Sequence, residues 1–469
     1  MISRLRVVCA IAFFLPISLC AQAPKSALPD FAKAREEAVK TLQDLVRIDT
    51  SNPPGNETKV AEYLKAQLEK EGIAAEIVAI EPPRGNLIAR IKGNGKKMPL
   101  LLMGHEDTVG IERDKWTVDP FAAIVKDGYI YGRGSLDDKS GVTAMFQVFR
   151  MIARQKVPLD RDIIFLAEAG EEGGPPVGID YLVEKQWDKI ECEFALNEGG
   201  DALVKDGKVQ YVSVATTEKV PDRMRLVAHG VSGHGSMPRL DNPIVHLSAA
   251  VAKLGAWQPP MHLNETTRTF FSRLAKISPP EEAFLFSHLE DPVVGPMAQE
   301  SLRHSSVMYN SMLRTSVTPT IIKGGFRENV IPADAEVMLD IRALPDEDMD
   351  KFMAEMKRVI DDPSVEIVRV GRLRTETPIP PLSSEMFRSL EKAQAVVYPT
   401  SITLPEMDTG ATDSAQFRAK GVQAYGVDSP TSEEDQSRMH GNDERLWIEG
   451  LGKFVEFLYR AVTDVAAAK

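Results

Sequence analysis

Apolar residues recur at helical spacing over 30–48, where Ala38, Leu42, Leu45 and Val46 share one face, and this predicts an amphipathic helix. The turn-forming run SNPPGNE (51–57) breaks it, and a second helix is expected over 57–71, with Gly72 as its C-cap. IAAEIVAI and NLIARI then read as strands. MPLLLMG (98–104) is a nearly continuous apolar run, as expected of a central strand covered on both faces. DIIFLA (162–167), EFALN (193–197) and VQAYGV (422–427) have the same character. Helical stretches alternate with these strands, which predicts an α/β fold: a mainly parallel sheet with flanking helices. A last helix is expected from about Asn442, with Ile448, Leu451, Val455, Leu458 and Val462 as its core-facing stripe.

The middle of the chain follows a different pattern. From about residue 218 the strands alternate, as in RMRLVAHG and EVMLDIR, and a helix is expected after SMPRLDNP. Between them, 258–320 is rich in Pro, Met, Ser and charge, lacks strand alternation, and is expected to form helices and loops. Residues 218–372, closed by the strand VEIVRV, therefore read as an α+β domain inserted into a first domain made of 28–217 and 373–469. More than one folding unit also fits a chain of 469 residues.

Residues 1–23 read as a signal peptide and not as part of the fold. Arg4 and Arg6 form a basic start, and Val7 to Leu19 is an apolar core too short to span a bilayer comfortably. Ala21-Gln22-Ala23 resembles a cleavage site, although Pro24 follows it; cleavage after Cys20 or Ala21 is the alternative. Leu19 is too large for a lipoprotein box, so the expectation is export to the periplasm or medium, without stable membrane insertion after processing. Loss of Arg4 and Arg6 takes the net charge from −12 to −14, which disfavours nucleic acid or anionic membrane as a partner. Of Cys9, Cys20 and Cys192, only Cys192 lies outside the leader, so no disulfide within the mature chain is expected.

Five short motifs carry the candidate chemistry: GHEDTVG (His105, Asp107), GRGSLDDKSG (Asp137), AGEEGG (Glu171, Glu172), LNEGG (Glu198) and MHGNDE (His440). Each has a bland reading: a hydrogen-bonded core histidine, a turn, a solvated acidic loop, a helix cap. Their conjunction, mostly after buried strands or beside Gly-rich turns, supplies what a pair of zinc ions about 3.5–4 Å apart needs, a bridging carboxylate and terminal ligands for each metal. Cobalt and manganese suit the same oxygen and nitrogen donors. His105 ends a strand and can present an imidazole, while Asp107 can hydrogen-bond its other ring nitrogen. Asp137 follows a Gly-Arg-Gly bend that can aim a carboxylate between two metals. Glu171 and Glu172 are adjacent and diverge, so one can ligate while the other stays free as a base.

With these motifs, the chain resembles the acetylornithine deacetylase / succinyl-diaminopimelate desuccinylase / glutamate carboxypeptidase family of co-catalytic zinc hydrolases, which includes aminoacylase-1 and carboxypeptidase S. The resemblance runs from about residue 40 to 460, includes LVRIDTSNPPGNE, and keeps all five motifs in order. It implies that His105, Asp137 and Glu198 hold one zinc ion, and that Asp137, Glu172 and His440 hold the other. It also implies that Glu171 is the general base, that Asp107 orients His105, and that the Asp137–Asp138 peptide is cis. The inserted domain corresponds to the family's lid or dimerisation domain. There GVSGHGSMP resembles the segment whose histidine, His234 here, helps polarise the scissile carbonyl and reaches the partner's site in dimeric members. FRENVIP (Asn329) and LDIR (Arg342) resemble residues that bind a substrate carboxylate, and Thr412 and Asp413 of GATD resemble a structural loop near the site. Gly170 stands where the family often has Asp, HEDTVG replaces the usual HxDVVP, and 258–320 adds chain beside the usual dimer interface.

The activity so implied is hydrolysis of an amide next to a C-terminal amino acid in small peptides, of carboxypeptidase or dipeptidase type. An N-acyl-amino-acid deacylase is the alternative, because the acyl pocket is built from loops. A non-catalytic peptide-binding relative would be expected to have lost Glu171 or a ligand, and none is missing. A homodimer is compatible with the resemblance.

Overall fold

The computed structural model describes residues 28–173, 176–371 and 377–468. The signal-peptide expectation and the 372/373 boundary lie outside the described residues. No helix among the described residues is long and apolar enough to cross a membrane.

A ten-stranded sheet forms the larger unit. Its spatial order is Ala75–Val78, Asn86–Ile91, Ile163–Glu168, Leu100–His105, Phe194–Asn197, Gln423–Gly426, Lys208–Glu218, Asp201–Lys205 and Pro430–Thr431, with Ile402–Asp408 also paired to Lys208–Glu218. The central strands Ile163–Glu168, Leu100–His105, Phe194–Asn197 and Gln423–Gly426 run parallel. Helices cover this sheet on both faces, so the apolar runs need no polar alternation. Leu100, Leu102, Phe165 and Leu196 pack on one side with helices Phe31–Val46, Lys139–Gln155 and Ile448–Ala466; Leu101, Met103, Ile164 and Ala195 pack on the other. Each fully buried leucine contributes about 1.5–3 kcal/mol of transfer free energy.

The expected inserted unit contains a four-stranded antiparallel sheet in the order Ser316–Gly324, Asp334–Ala343, Val220–His229, Val365–Val370. Helices Pro243–Ala256 and Met349–Ile360 cover one face through Leu247, Leu254, Phe352 and Met356. Only Lys219 separates strand Lys208–Glu218 of the large sheet from strand Val220–His229 of the small one.

Three expectations are corrected. Part of 258–320 is strand, because Ser316–Gly324 pairs with Asp334–Ala343. The helices Glu265–Leu274, Pro280–Ser287, Gly295–Ser305 and Val307–Met312 pack on the large sheet and not on the small one. Their Phe270, Phe271, Phe286 and Leu302 form one core with Tyr211, Leu404 and Met407, covering apolar side chains of strands that the small sheet's own helices do not reach. The last helix starts at Ile448, because Arg445–Trp447 is a strand paired with Tyr129–Tyr131.

Candidate metal centre

The carboxyl ends of neighbouring parallel strands place the first side chains, at the crevice where open α/β sheets bind ligands. His105 is the last residue of Leu100–His105, Glu198 follows Phe194–Asn197, and Glu171 and Glu172 lie in the turn after Ile163–Glu168. Asp137 sits just before helix Lys139–Gln155, in a cis Asp137–Asp138 peptide, and the Asp138 side chain caps that helix at Gly141 N, 3.1 Å away. His440 arrives from the loop after Glu433–Gln436 in a left-handed conformation, φ 56°.

Two clusters share one carboxylate. His105 Nε2 lies 2.9 Å from Asp137 Oδ1 and 3.5 Å from Glu198 Oε2. His440 Nε2 lies 2.8 Å from Asp137 Oδ2 and 3.1 Å from Glu172 Oε1. Asp137 thus turns one oxygen to each histidine. Within each set, His105–Asp137–Glu198 and Asp137–Glu172–His440, the candidate ligand atoms all lie within 4.8 Å of one another. The His440 side chain is 52 % exposed, whereas that of His105 is 2 % exposed, so the centre opens to solvent on the His440 side.

The electrostatics show what this donor set fits. Burial opposes a charge on His105, but Glu198, Asp107 and Asp137 raise its pKa well above the usual imidazole value. Hydrogen bonds to Asp137 and Glu172 push His440 up to about 10. Burial by itself would raise Asp137, yet His105 and His440 hold it below the usual carboxylate range. Burial and the neighbouring Glu198 charge push Glu171 up to about 10. The site therefore draws positive charge to two points, and divalent cations can provide it there by displacing the imidazole protons.

Asp107 faces His105 and also anchors the glutamate turn. His105 Nδ1 donates to the backbone oxygen of Asp107 at 3.0 Å, while the Asp107 carboxylate is 3.5 Å from that nitrogen. The carboxylate also accepts from Gly170 N, Glu171 N and Glu172 N at 3.0, 3.1 and 3.2 Å, and from Asn52 Nδ2 at 2.8 Å. Three backbone donors and an amide share its oxygens with the His105 ring, and the Asp107 carbonyl accepts the Nδ1 proton, so the residue faces the imidazole through both its backbone and its carboxylate. Asn52, which sequence reasoning left without a role, also donates to Gly173 O, bracketing the glutamate turn. Its position in SNPPGNE was the available signal.

The other expected site residues lie on the smaller unit. His234 pairs with Val330 in a two-stranded ladder and is exposed; its Nδ1 accepts from Ser236 N at 3.1 Å and lies 2.7 Å from Ser236 Oγ. The Asn329 carbonyl accepts from Gly235 N at 2.8 Å, which puts Asn329 beside His234. Arg342 lies on the strand Asp334–Ala343, with Nε 2.9 Å from Asp340 Oδ1. No hydrogen bond or ion pair among the described residues joins these three to the metal-centre side chains. Thr412 is structural, as expected: its N and Oγ1 donate to the buried Glu218 carboxylate at 3.1 and 2.9 Å.

Comparison with known proteins adds a family to this geometry. The sequence model of peptidase family M20/M25/M40 matches residues 101–464. The probable carboxypeptidase S-like 2 of Dictyostelium discoideum is 30 % identical over 391 residues, 81 % of this chain and 74 % of that one. The N-fatty-acyl-amino acid synthase/hydrolase PM20D1 of Xenopus tropicalis is 28 % identical over 453 residues, 92 % of this chain and 86 % of that one. Among solved structures, the M20 family metallo-carboxypeptidase Sso-CP2 of Sulfolobus solfataricus superposes with a TM-score of 0.65 at 20 % identity, over 91 % of this chain and 99 % of that one. The match over most of the chain and the histidine–carboxylate centre agree: this chain belongs to peptidase family M20/M25/M40 and is a metal-dependent hydrolase.

Proposed function

We propose that this chain is an exported di-zinc peptidase that hydrolyses the amide bond next to a C-terminal amino acid in small peptides. The observation that carries this reading is Asp137, whose two oxygens address two separate histidine–glutamate sets beside an otherwise unassigned, half-buried Glu171. Bound zinc would supply a Lewis acid for the carbonyl oxygen and lower the pKa of a water molecule. Glu171 takes a proton from the attacking water as its oxygen bonds to the carbonyl carbon, and delivers a proton to the leaving nitrogen as the C–N bond breaks. His105, Asp137, Glu172, Glu198 and His440 act as ligands, and Asp107 holds the turn that presents Glu171. His234 donates a hydrogen bond to the carbonyl oxygen, where charge develops. Arg342 and Asn329 hold the free carboxylate of the C-terminal residue.

A homodimer through the smaller unit belongs to this proposal. Strand Ser316–Gly324 is the outer strand of its sheet, carries exposed Ile321 and Ile322, and is left uncovered by the helices of 265–312, which pack on the large sheet. Such a dimer gives exposed His234 a route to the centre of the other protomer. Export rests on Arg4, Arg6 and the apolar run that follows.

The similarity to N-fatty-acyl-amino acid synthase/hydrolases over 92 % of the chain favours one second reading, an N-acyl-amino-acid hydrolase. One experiment separates the two: release of free amine by the zinc-loaded protein, measured on dipeptides, short N-acetyl amino acids and long-chain N-acyl amino acids. The peptidase reading expects the highest kcat/KM on peptides and no turnover by Glu171→Gln. A preference for N-acyl amino acids would replace it with the second reading, and turnover surviving both chelation and Glu171→Gln would refute both.

A further inference from the structure

We infer that Glu444 is a positioning residue that ties the bridging Asp137 to His440 and so sets the affinity of the second metal ion selectively; this rests on the two-metal reading above. Glu444 lies four residues after His440 and is fully buried. Its carboxylate receives a converging set of donors. Leu136 N and Asp137 N reach Oε1 at 2.7 and 3.1 Å, and Gly134 N reaches Oε2 at 3.1 Å. Successive backbone N–H groups closing on an anion form a nest, and here the anion is a side chain from the far end of the sequence. Gly134 takes a left-handed φ of 78° in this bend, and a Cβ there would lie 2.6 Å from Thr108 Cγ2.

Arg133 completes the clamp. Its Nη1 donates to Glu444 Oε2 at 2.5 Å and its Nη2 to Gly441 O, next to His440, at 2.6 Å. The Trp116 ring lies over its guanidinium at 5.3 Å. Gly132 N also donates to Glu444 O at 2.9 Å. The segment that presents Asp137 and the segment that presents His440 are therefore fastened at both of their backbones, through one buried carboxylate and one buried guanidinium. The His440–Asp137 approach of 2.8 Å spans this joint. In the His105–Asp137–Glu198 set, His105 and Glu198 stand at the ends of two neighbouring parallel strands that Glu444 does not touch, and only the shared Asp137 hangs from the clamped bend.

Glutamine at position 444 has the same shape but offers one acceptor and an NH2 group where two donors, Gly134 N and Arg133 Nη1, now point. The joint loosens while the sheet is untouched. The test is a zinc titration of metal-free wild type, Glu444→Gln and Arg133→Lys against a chromophoric chelator, with the melting temperature of each metal-free protein recorded. Wild type should bind two ions; if it does not, the two-metal reading fails and Glu444 is not in question. With wild type at two, Glu444→Gln should keep its first affinity within about threefold and lose about 10–100-fold in the second, the usual range for a group supporting a ligand. Arg133→Lys, which keeps the charge but cannot reach Glu444 and Gly441 O together, should lose second-site affinity in the same sense and serves if Glu444→Gln does not fold. Unchanged affinities with a lowered melting temperature would make the clamp purely structural and overturn the inference, and so would an equal loss at both sites.

Discussion

Asp107→Asn measures how firmly the paired glutamates are held. The carboxylate is fully buried and accepts four hydrogen bonds, two at each oxygen: Gly170 N and Glu171 N at Oδ1, Glu172 N and Asn52 Nδ2 at Oδ2. Asparagine keeps one oxygen, and in either orientation its NH2 group faces two donors. Two buried donors lose their partner at about 1–3 kcal/mol each, a gross cost of about 2–6 kcal/mol. Loss of one negative charge among crowded carboxylates offsets part of this, so a net destabilisation of about 2–3 kcal/mol is expected for the metal-free protein. Urea unfolding at pH 7 reads it as a shift in midpoint. The same loosening displaces Glu171, and a misplacement of about 1 Å costs roughly a hundredfold, so kcat of the zinc-loaded variant should fall by that factor with KM little changed. A variant within about 0.5 kcal/mol of wild type and within twofold in kcat would show that the turn 170–172 is held by other contacts, and the argument would fail.

Glu171→Gln should keep both metals and its fold but lose kcat by several orders of magnitude, while Glu172→Gln should weaken one metal; elemental analysis beside kinetics would expose a reversed assignment. Arg342→Ala should lower kcat/KM about a hundredfold on free-acid substrates and little on C-terminally amidated ones, since a bidentate pair with a carboxylate is what lysine or alanine cannot provide. Arg342 now shares its guanidinium with Asp340, so equal loss on both substrates would mean that it serves the strand and not the substrate. Lys219, buried at the crossing between the two sheets and bonded to Arg314 O at 2.7 Å, is pulled by burial and nearby Arg342 and Arg314 down to about 7. From about pH 7 to about 10.4 the unfolded chain holds a proton that the folded chain has released, so stability should rise with pH across that window and be penalised in full below it. Lys219→Met should flatten the rise, and parallel unfolding-versus-pH curves for the two proteins would contradict the assignment.

The candidate ligand set was legible because each of its members sits beside a pattern with a physical meaning. His105 and Glu198 follow apolar runs that can only be buried strands, and Glu171–Glu172 follow another. Parallel neighbours bring such strand ends together, so order along the chain was enough to suggest proximity. What was missed lacks that periodic support. Strand Ser316–Gly324 has mostly exposed side chains on both faces, so there was no alternation to detect. Arg445–Trp447 is three residues long, too short for alternation to show. The packing of the 265–312 helices could not be read at all, since their apolar faces fit any uncovered sheet and only the tertiary structure shows that Leu404 and Met407 are their partners. Glu444 looks in sequence like a solvated acid after Asp443; its burial depends on a bend some three hundred residues earlier.

The two metal sets are not equivalent, and the fold explains why. The candidate ligands of the first lie between residues 105 and 198, and two of the three, His105 and Glu198, stand at the ends of strands that pair in parallel, so forming the central sheet brings those two together directly. The second needs His440, which reaches the site only after the chain has passed through the smaller sheet and returned. Closing so long a loop costs little more than closing a moderate one, because the entropy grows only logarithmically with length. The difficulty is angular: a half-exposed histidine on a left-handed loop residue has no strand to aim it. The contacts that do so run from Arg133 to Gly441 O and from the Asp137 bend to Glu444, and the Arg133 and Glu444 side chains that make them are buried. A centre assembled this way leaves His105 and Glu198 to the core of the sheet and the shared Asp137 to the bend. Within the second set, His440 depends on a single polar joint, and its half-exposed side chain marks the side on which the centre meets solvent.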